Sequence, residues 1–180
     1  MAAARRTVRS DVVLEHAFLT VRVDTVRAAD GRTSSHVVAT GPDIATAVPV
    51  WDDGTVTLLS QRRHGLRARS IEVPGGHFDA GERPLAAARR ELREETGLTA
   101  RRWTPLLTFL PAIKLRQRFH VFLAEGLREG ASCPDDDEDI RLIRVPLADA
   151  CRAAALRRMV HGPSILALLA ARDAVSSRRG

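Results

Sequence analysis

"GGHFDAGERPLAAARRELREETGLTA", residues 75–100, places Glu91, Glu94 and Glu95 directly ahead of Gly97, with a further glutamate at position 82. Pro84 suits the first turn of a helix and Gly97 its C-terminal stop, so a helix is expected from 84 to about 96. At about 100° per residue, Leu85, Ala88 and Leu92 share a stripe that can pack on a sheet. Glu91, Glu94 and Glu95 then fall on an adjoining face, within an arc of about 100°. Each like-charged pair four residues apart costs a helix about 0.2–0.5 kcal/mol. Arg90 can pair with Glu94, but Glu91 and Glu95 still repel. A solvated charged face is the plain alternative. A hard divalent cation, Mg²⁺ or Mn²⁺, neutralises such a cluster best, because it takes carboxylate oxygens and keeps waters that substrate phosphates can replace. Ala87, amid the acidic face, leaves room for a substrate to approach.

The spacing makes the pattern specific. From Gly76 the chain runs five residues to Glu82, seven more to Arg90-Glu91-Leu92, one to Glu94-Glu95, and one to Gly97-Leu98. This resembles the Nudix box at every defining position. Each element has a physical task. Gly75-Gly76 permits a tight backbone turn whose carbonyl can face a metal. Arg90 can tie down Glu82 and so orient the neighbouring carboxylates. The resemblance implies that Glu91 and Glu95 are direct metal ligands with the Gly75 carbonyl. It places Glu94 and Glu82 close behind, or bound through water.

Outside the box, residues 1–10 read as a flexible arm. Residues 11–43 read as a β meander, from the alternation in Asp11–Phe18 and Thr20–Arg27 and the Ala-Asp-Gly turn at 29–31. By the resemblance, residues 44–176 are expected to form the Nudix hydrolase domain. Within it, Ile44–Trp51 and Thr55–Gln61 flank Asp52-Asp53-Gly54, a hairpin signal. Short strands are expected at 71–73, 103–110, 118–124 and 140–145, an acidic loop at 126–139, and helices at about 147–159 and 163–173. Sheet, helix, sheet, then helices implies an α/β or α+β layered domain. The resemblance narrows this to α/β: a Nudix-type α/β/α sandwich with a mixed sheet, plus an N-terminal antiparallel meander.

The resemblance extends over nearly all of the chain after residue 10, and is greatest to Nudix hydrolases of the ADP-ribose pyrophosphatase and NDP-sugar type. It rests on "VRVDTVRAADGRTSSHVV", "AVPVWDDGTVTLLSQRR", "IEVPGG", "PDDDEDIRLIRVPLADA" and "GPSILALLAAR". It implies that Arg63 contacts the substrate pyrophosphate and that Glu72 lies beside the metal platform. It also implies that Glu138 is a third carboxylate ligand and Asp136 the general base, with Glu82, Glu94 and Glu138 competing for that role. A carboxylate on a mobile loop can bring water to phosphorus once substrate is bound. The implied reaction is Mg²⁺- or Mn²⁺-dependent hydrolysis of a nucleoside diphosphate linked to another moiety, ADP-ribose or an NDP-sugar first. The products are a nucleoside monophosphate and a sugar phosphate. Alternatives are hydrolysis of nucleoside triphosphates, dinucleotides or capped RNA, and a non-catalytic ligand-binding module. Where the ADP-ribose type often carries a proline after the box, this chain has Ile113 and Lys114. In such proteins the meander often crosses to a partner, so a homodimer is expected.

Composition sets the remaining bounds. At 44% hydrophobic and 28% charged residues the chain suits a soluble domain, and no apolar run reaches a membrane span. Met1–Ser10 lacks the apolar stretch of a signal peptide. Cys133 and Cys151 fit no metal spacing and suggest reduced thiols, hence a cytoplasmic location. The net charge of +6 is almost all arginine, Lys114 being the only lysine. No aromatic platform accompanies it, so an anionic small molecule is the expected partner rather than nucleic acid. His64 and His77 flank the expected site, His120 reads as structural, and packing is the first explanation for Trp51 and Trp103.

Overall fold

Helix α1 spans Pro84–Thr96, as the sequence predicts. Gly97 closes it in the left-handed region at φ 70°, donating its N–H to the Arg93 carbonyl, a conformation that a Cβ would strain. The computed structural model that contains it describes residues 5–130, 139–156 and 159–178. The chain divides into two units, Met1–Pro42 with Leu110–Arg118, and Asp43–Phe109 with Phe119–Gly180.

The first unit is an antiparallel meander of β1 (Arg6–His16), β2 (Leu19–Arg27) and β3 (Thr33–Thr40), to which Leu115–Arg116 (β9) adds a short parallel strand. Residues 6–10, expected in the loose arm, are strand instead. Arg6 pairs opposite Arg27, and the Ser10 hydroxyl donates to Asp24 at 2.6 Å, so the β2 ladder continues where sequence gave no turn to end it. β1 is an edge strand, and Val8, Val12, Val13, Leu14 and Phe18 in this region are exposed. Ile113 also belongs to this unit, so the segment in which the expected proline is missing is part of the meander unit.

In the second unit β4 (Ile44–Pro49) lies parallel to β10 (Phe119–Arg128) at the centre of a mixed sheet. β7 (Gly75–His77) and β8 (Thr99–Phe109) flank them antiparallel. Both faces of this sheet are covered, so its central strands read as continuous small and apolar residues. Ala45, Ala47, Phe122 and Ala124 face α1, packing against Ala87, Ala88 and Leu92; Ala87, expected open to substrate on the acidic face, is fully buried on the sheet instead. Val48, Val121 and Leu123 join the opposite core with α2 (Leu147–Ala155) and α3 (Gly162–Ser176). The alanines let α1 approach closely, and Leu92, fully buried, contributes about 1.5–3 kcal/mol through its removal from water. This is the expected α/β/α sandwich.

A second, antiparallel sheet comprises β11 (Ile140–Pro146), β5 (Thr55–Arg63) and β6 (Ala68–Glu72). The hairpin expected at residues 44–61 is therefore corrected. The turn at 52–54 forms, with Gly54 N–H on the Trp51 carbonyl and Trp51 N–H on that of Thr55. Beyond one bridge between Val50 and Val56, however, β4 and β5 part into different sheets.

Candidate active site

Three segments meet at the start of β7. Gly75 and Gly76 pair with Thr46 and Ala45 of β4, and α1 lies across both strands. Gly75 donates its N–H to Glu95 Oε2 at 2.8 Å, and Glu95 is 5% exposed. A Cβ on Gly76 would lie 2.3 Å from Glu91 Oε1, so the Glu91 carboxylate rests directly on the Gly76 backbone. A Cβ on Gly75 would lie 2.4 Å from the Ala45 carbonyl. The two glycines thus admit, respectively, a carboxylate and a neighbouring strand.

Arg90 sits among the other acids. Its Nε and Nη2 donate to the two oxygens of Glu82 at 3.2 and 3.0 Å. Nη1 donates to Glu91 at 2.8 Å and Glu94 at 3.0 Å, and Nη2 also reaches the His77 carbonyl at 2.8 Å. The pairs expected with Glu82 and Glu94 both form; the bond to the adjacent Glu91 was not foreseen. Hydrogen bonding from Arg90 holds the Glu82 carboxyl below its ordinary range against the effect of burial, and Glu82 in turn raises Arg90. Burial holds the His77 ring below its usual value.

Asp79, Glu82, Glu91 and Glu94 pair with one guanidinium, and with Glu95 nearby the five acids and Arg90 carry a formal charge of −4. Among the described residues no three of His, Cys, Asp and Glu are grouped to hold a metal ion as they stand, which is consistent with Arg90 drawing four of these carboxylates to itself. The donor set still fits a hard divalent cation. It offers carboxylate oxygens and backbone carbonyls with no thiol, carries surplus negative charge, and has Glu91 and Glu95 both against the Gly75–Gly76 backbone.

Arg63 and Glu72, singled out separately in sequence, are partners. Nε and Nη2 of Arg63 donate to Oε1 and Oε2 of Glu72 at 2.9 and 2.7 Å, and Glu72 is 3% exposed. Burial pushes the Glu72 carboxyl up, but the Arg63 hydrogen bonds and the charges of His161 and Arg63 outweigh it and hold it low. His161 Nδ1 lies 3.6 Å from Glu72 Oε2 and 2.8 Å from the Ser164 hydroxyl, which accepts the Val73 N–H at 3.0 Å. Neither His161 nor Ser164 was picked out in sequence; only the Gly-Pro-Ser opening of the helix was visible.

Asp136, Glu138 and Cys133 lie outside the described residues. The next residue, Asp139, is held by Arg69, whose Nη2 donates to its carbonyl at 2.9 Å. Cys151 is a buried free thiol. His120 lies near Asp43 and Thr108 at 3.3 Å and against the Phe78 ring. Trp51 donates to Thr57 at 2.9 Å beneath the Arg144 guanidinium, and Trp103 packs edge-on to Phe122. Among the described residues no helix is long and apolar enough to cross a membrane.

A sandwich bearing this acidic helix beside a double glycine defines a class of phosphate-handling hydrolases, and comparison with known proteins bears on it directly. Residues 41–167 match the NUDIX domain, and residues 6–38 match the nucleoside diphosphate sugar hydrolase N-terminal domain. The ADP-ribose pyrophosphatase of Mycobacterium tuberculosis is 32% identical over 91% of this chain and 81% of its own length. That of Bacillus subtilis is 28% identical over 91% and 90%. A solved structure described as an ADP compounds hydrolase superposes with a TM-score of 0.88, covering 99% of this chain and 97% of its own, at 20% identity. The chain belongs to the Nudix family. Hydrolases of this family generally depend on a divalent metal.

Proposed function

We propose that the protein hydrolyses the diphosphate linkage of a nucleoside diphosphate joined to another moiety, ADP-ribose or an NDP-sugar first, using Mg²⁺ or Mn²⁺ in the cytoplasm. The observation that carries this reading is the complete acidic set on α1 beside Gly75–Gly76. The ADP-ribose pyrophosphatase relatives and the match of residues 6–38 to an N-terminal domain of nucleoside diphosphate sugar hydrolases support the substrate class.

In this reading Glu91, Glu95 and the Gly75 carbonyl hold the metal, with Glu138 as a further ligand. The metal, when bound, polarises phosphate oxygens and lowers the pKa of water. Arg90 holds Glu82, Glu91 and Glu94 together beside the double glycine, and Glu91 turns from it toward the metal when the cation binds. Arg63, its plane set by Glu72, pairs with the pyrophosphate oxygens. Asp136 takes the proton of the attacking water, with Glu82, Glu94 and Glu138 the alternative bases. One P–O bond to the bridging oxygen breaks and one forms to the water oxygen. The products are two phosphate monoesters, a nucleoside monophosphate and a sugar phosphate.

The exposed apolar residues of the meander suit a second copy of this chain, giving a homodimer. Light scattering on the purified protein should give twice the monomer mass.

The decisive assay incubates the protein and Mg²⁺ or Mn²⁺ with ADP-ribose, NDP-sugars, dinucleotides and nucleoside triphosphates, and identifies the products. AMP and ribose 5-phosphate from ADP-ribose are expected. Pyrophosphate release from a triphosphate in preference would move the protein to the other Nudix class. No turnover of any diphosphate would overturn the proposal.

A further inference from the structure

The start of α3 reaches back to the active-site strand through a chain of buried polar groups. Ser164 is fully buried, and its hydroxyl accepts the Val73 N–H at 3.0 Å across 91 residues of sequence. The same hydroxyl shares a hydrogen bond with the ring nitrogen Nδ1 of His161, 2.8 Å away. The same Nδ1 edge lies 3.6 Å from Glu72 Oε2, beyond hydrogen-bond range but against the carboxylate on the side away from Arg63. On its other side Glu72 holds Arg63 through two parallel hydrogen bonds.

The network has two outputs. One runs from His161 through Glu72 to Arg63. The guanidinium is planar, so a two-point contact with Glu72 fixes the direction in which its remaining edge faces. The other runs from Ser164 to Val73, the residue that leads into Pro74, Gly75 and Gly76. This short stretch is pinned at three successive points. Val73 N–H goes to Ser164, the Pro74 carbonyl accepts from Ala47 N–H at 2.9 Å, and Gly75 N–H goes to Glu95. Remove one and the backbone under Glu91 and Glu95 gains freedom.

We propose that His161 and Ser164 are positioning residues for hydrolysis, His161 aligning Arg63 through Glu72 and Ser164 fixing the backbone beneath the acidic cluster. Neither touches the reacting atoms. The inference rests on the reading of Arg63 as a phosphate contact and of Gly75–Gly76 as part of the metal platform. It adds a wall to the site, built from the N-terminal turn of a helix that otherwise serves the opposite core.

The two outputs predict different kinetic signatures. Steady-state kinetics with ADP-ribose and Mg²⁺ would compare wild type with His161→Ala, His161→Asn, Ser164→Ala, Arg63→Ala and the Arg63→Ala/His161→Ala double variant. His161→Ala should raise KM roughly tenfold with kcat changed less than about threefold, a loss of binding rather than of chemistry. His161→Asn, whose side-chain oxygen stands near the place of Nδ1, should recover most of that loss. In the Arg63→Ala background His161→Ala should add less than about twofold, because its effect passes through Arg63. Ser164→Ala should instead lower kcat roughly tenfold and raise the Mg²⁺ concentration needed for half-maximal rate.

Hydrogen exchange at the Val73 amide gives a readout independent of activity. Ser164→Ala should accelerate it at least roughly tenfold, while amides in the core of α3 stay protected. A purely structural role would lower the melting temperature and the active fraction, yet leave KM at the wild-type value. An active wild type whose His161→Ala variant keeps KM and kcat within twofold overturns the inference, as does a double variant in which the two effects multiply. A wild type that turns over no diphosphate overturns the functional reading itself, and the inference with it.

Discussion

Arg90 and Arg63 both clamp glutamates, in opposite proportions. Arg90 serves Asp79, Glu82, Glu91 and Glu94, with Glu95 close by on the same helix. Arg63 holds Glu72 through both carboxylate oxygens. One site carries surplus negative charge and the other is balanced. A surplus is costly to a fold unless something arrives to offset it, whereas a balanced pair is complete as it stands. The first arrangement suits a centre that binds cations, and the second suits a fixed contact for an anion.

The comparison is tested hardest at Glu95. Glu95→Gln removes one charge from the surplus, but its amide oxygen can still accept the Gly75 N–H. Turnover at saturating Mg²⁺ should fall at least about 100-fold with the melting temperature little changed. A rate near wild type would mean the surplus has no role. Gly76→Ala comes next. The new methyl would displace Glu91, the end of a flexible side chain, so activity should fall about tenfold or more while stability changes by about 1 kcal/mol or less. Gly75→Ala meets the Ala45 backbone instead and should cost folding itself, which yield of soluble protein would reveal.

Arg90→Ala sharpens the idea from the other side. It should lower the melting temperature by roughly 3–10 °C, and Mg²⁺ should restore more stability to the variant than it adds to wild type. Equal gains from Mg²⁺ would separate the glutamates from the cation. The smallest effect belongs to the balanced site. Burial holds His161 below its ordinary value near 6.5, against the pull of Glu72, so its neutral form is favoured on folding. That contribution is complete above about pH 6.5 and is lost as pH falls through the lowered folded value. His77 adds a loss of the same sign. The melting temperature should therefore drop between pH 7 and 5, by about 1–3 °C less in His161→Asn. An identical drop in both proteins would remove His161 from this balance.

How much of this was legible in the sequence depended on how far each signal reaches. Helix α1, its proline start, its Gly97 cap and its acidic face are local and periodic, and sequence and structure agree on them. The pairs of Arg90 with Glu82 and Glu94 follow from spacing, while the bond to Glu91 depends on side-chain rotamers. Asp52-Asp53-Gly54 signalled a turn correctly. Turn chemistry is the same whether the flanking strands pair or part, so the division of β4 and β5 between two sheets was hidden. Residues 6–10 carried no apolar periodicity strong enough to mark a strand, and their pairing is set by β2. His161 and Ser164 bond each other within one helical turn, but the partners that tie them to the site, Glu72 and Val73, lie some 90 residues away, so no local signature marks their role.

The bond between Ser164 and Val73 has a consequence for the order in which the protein is made. When a ribosome has extruded α1 and all of its glutamates, the sheet beneath them still lacks β10, and Ser164, whose hydroxyl secures Val73, lies 68 residues beyond Thr96. A nascent chain would therefore carry the whole sequence motif before it held the motif in working shape. Competence should appear abruptly, when the last helix docks.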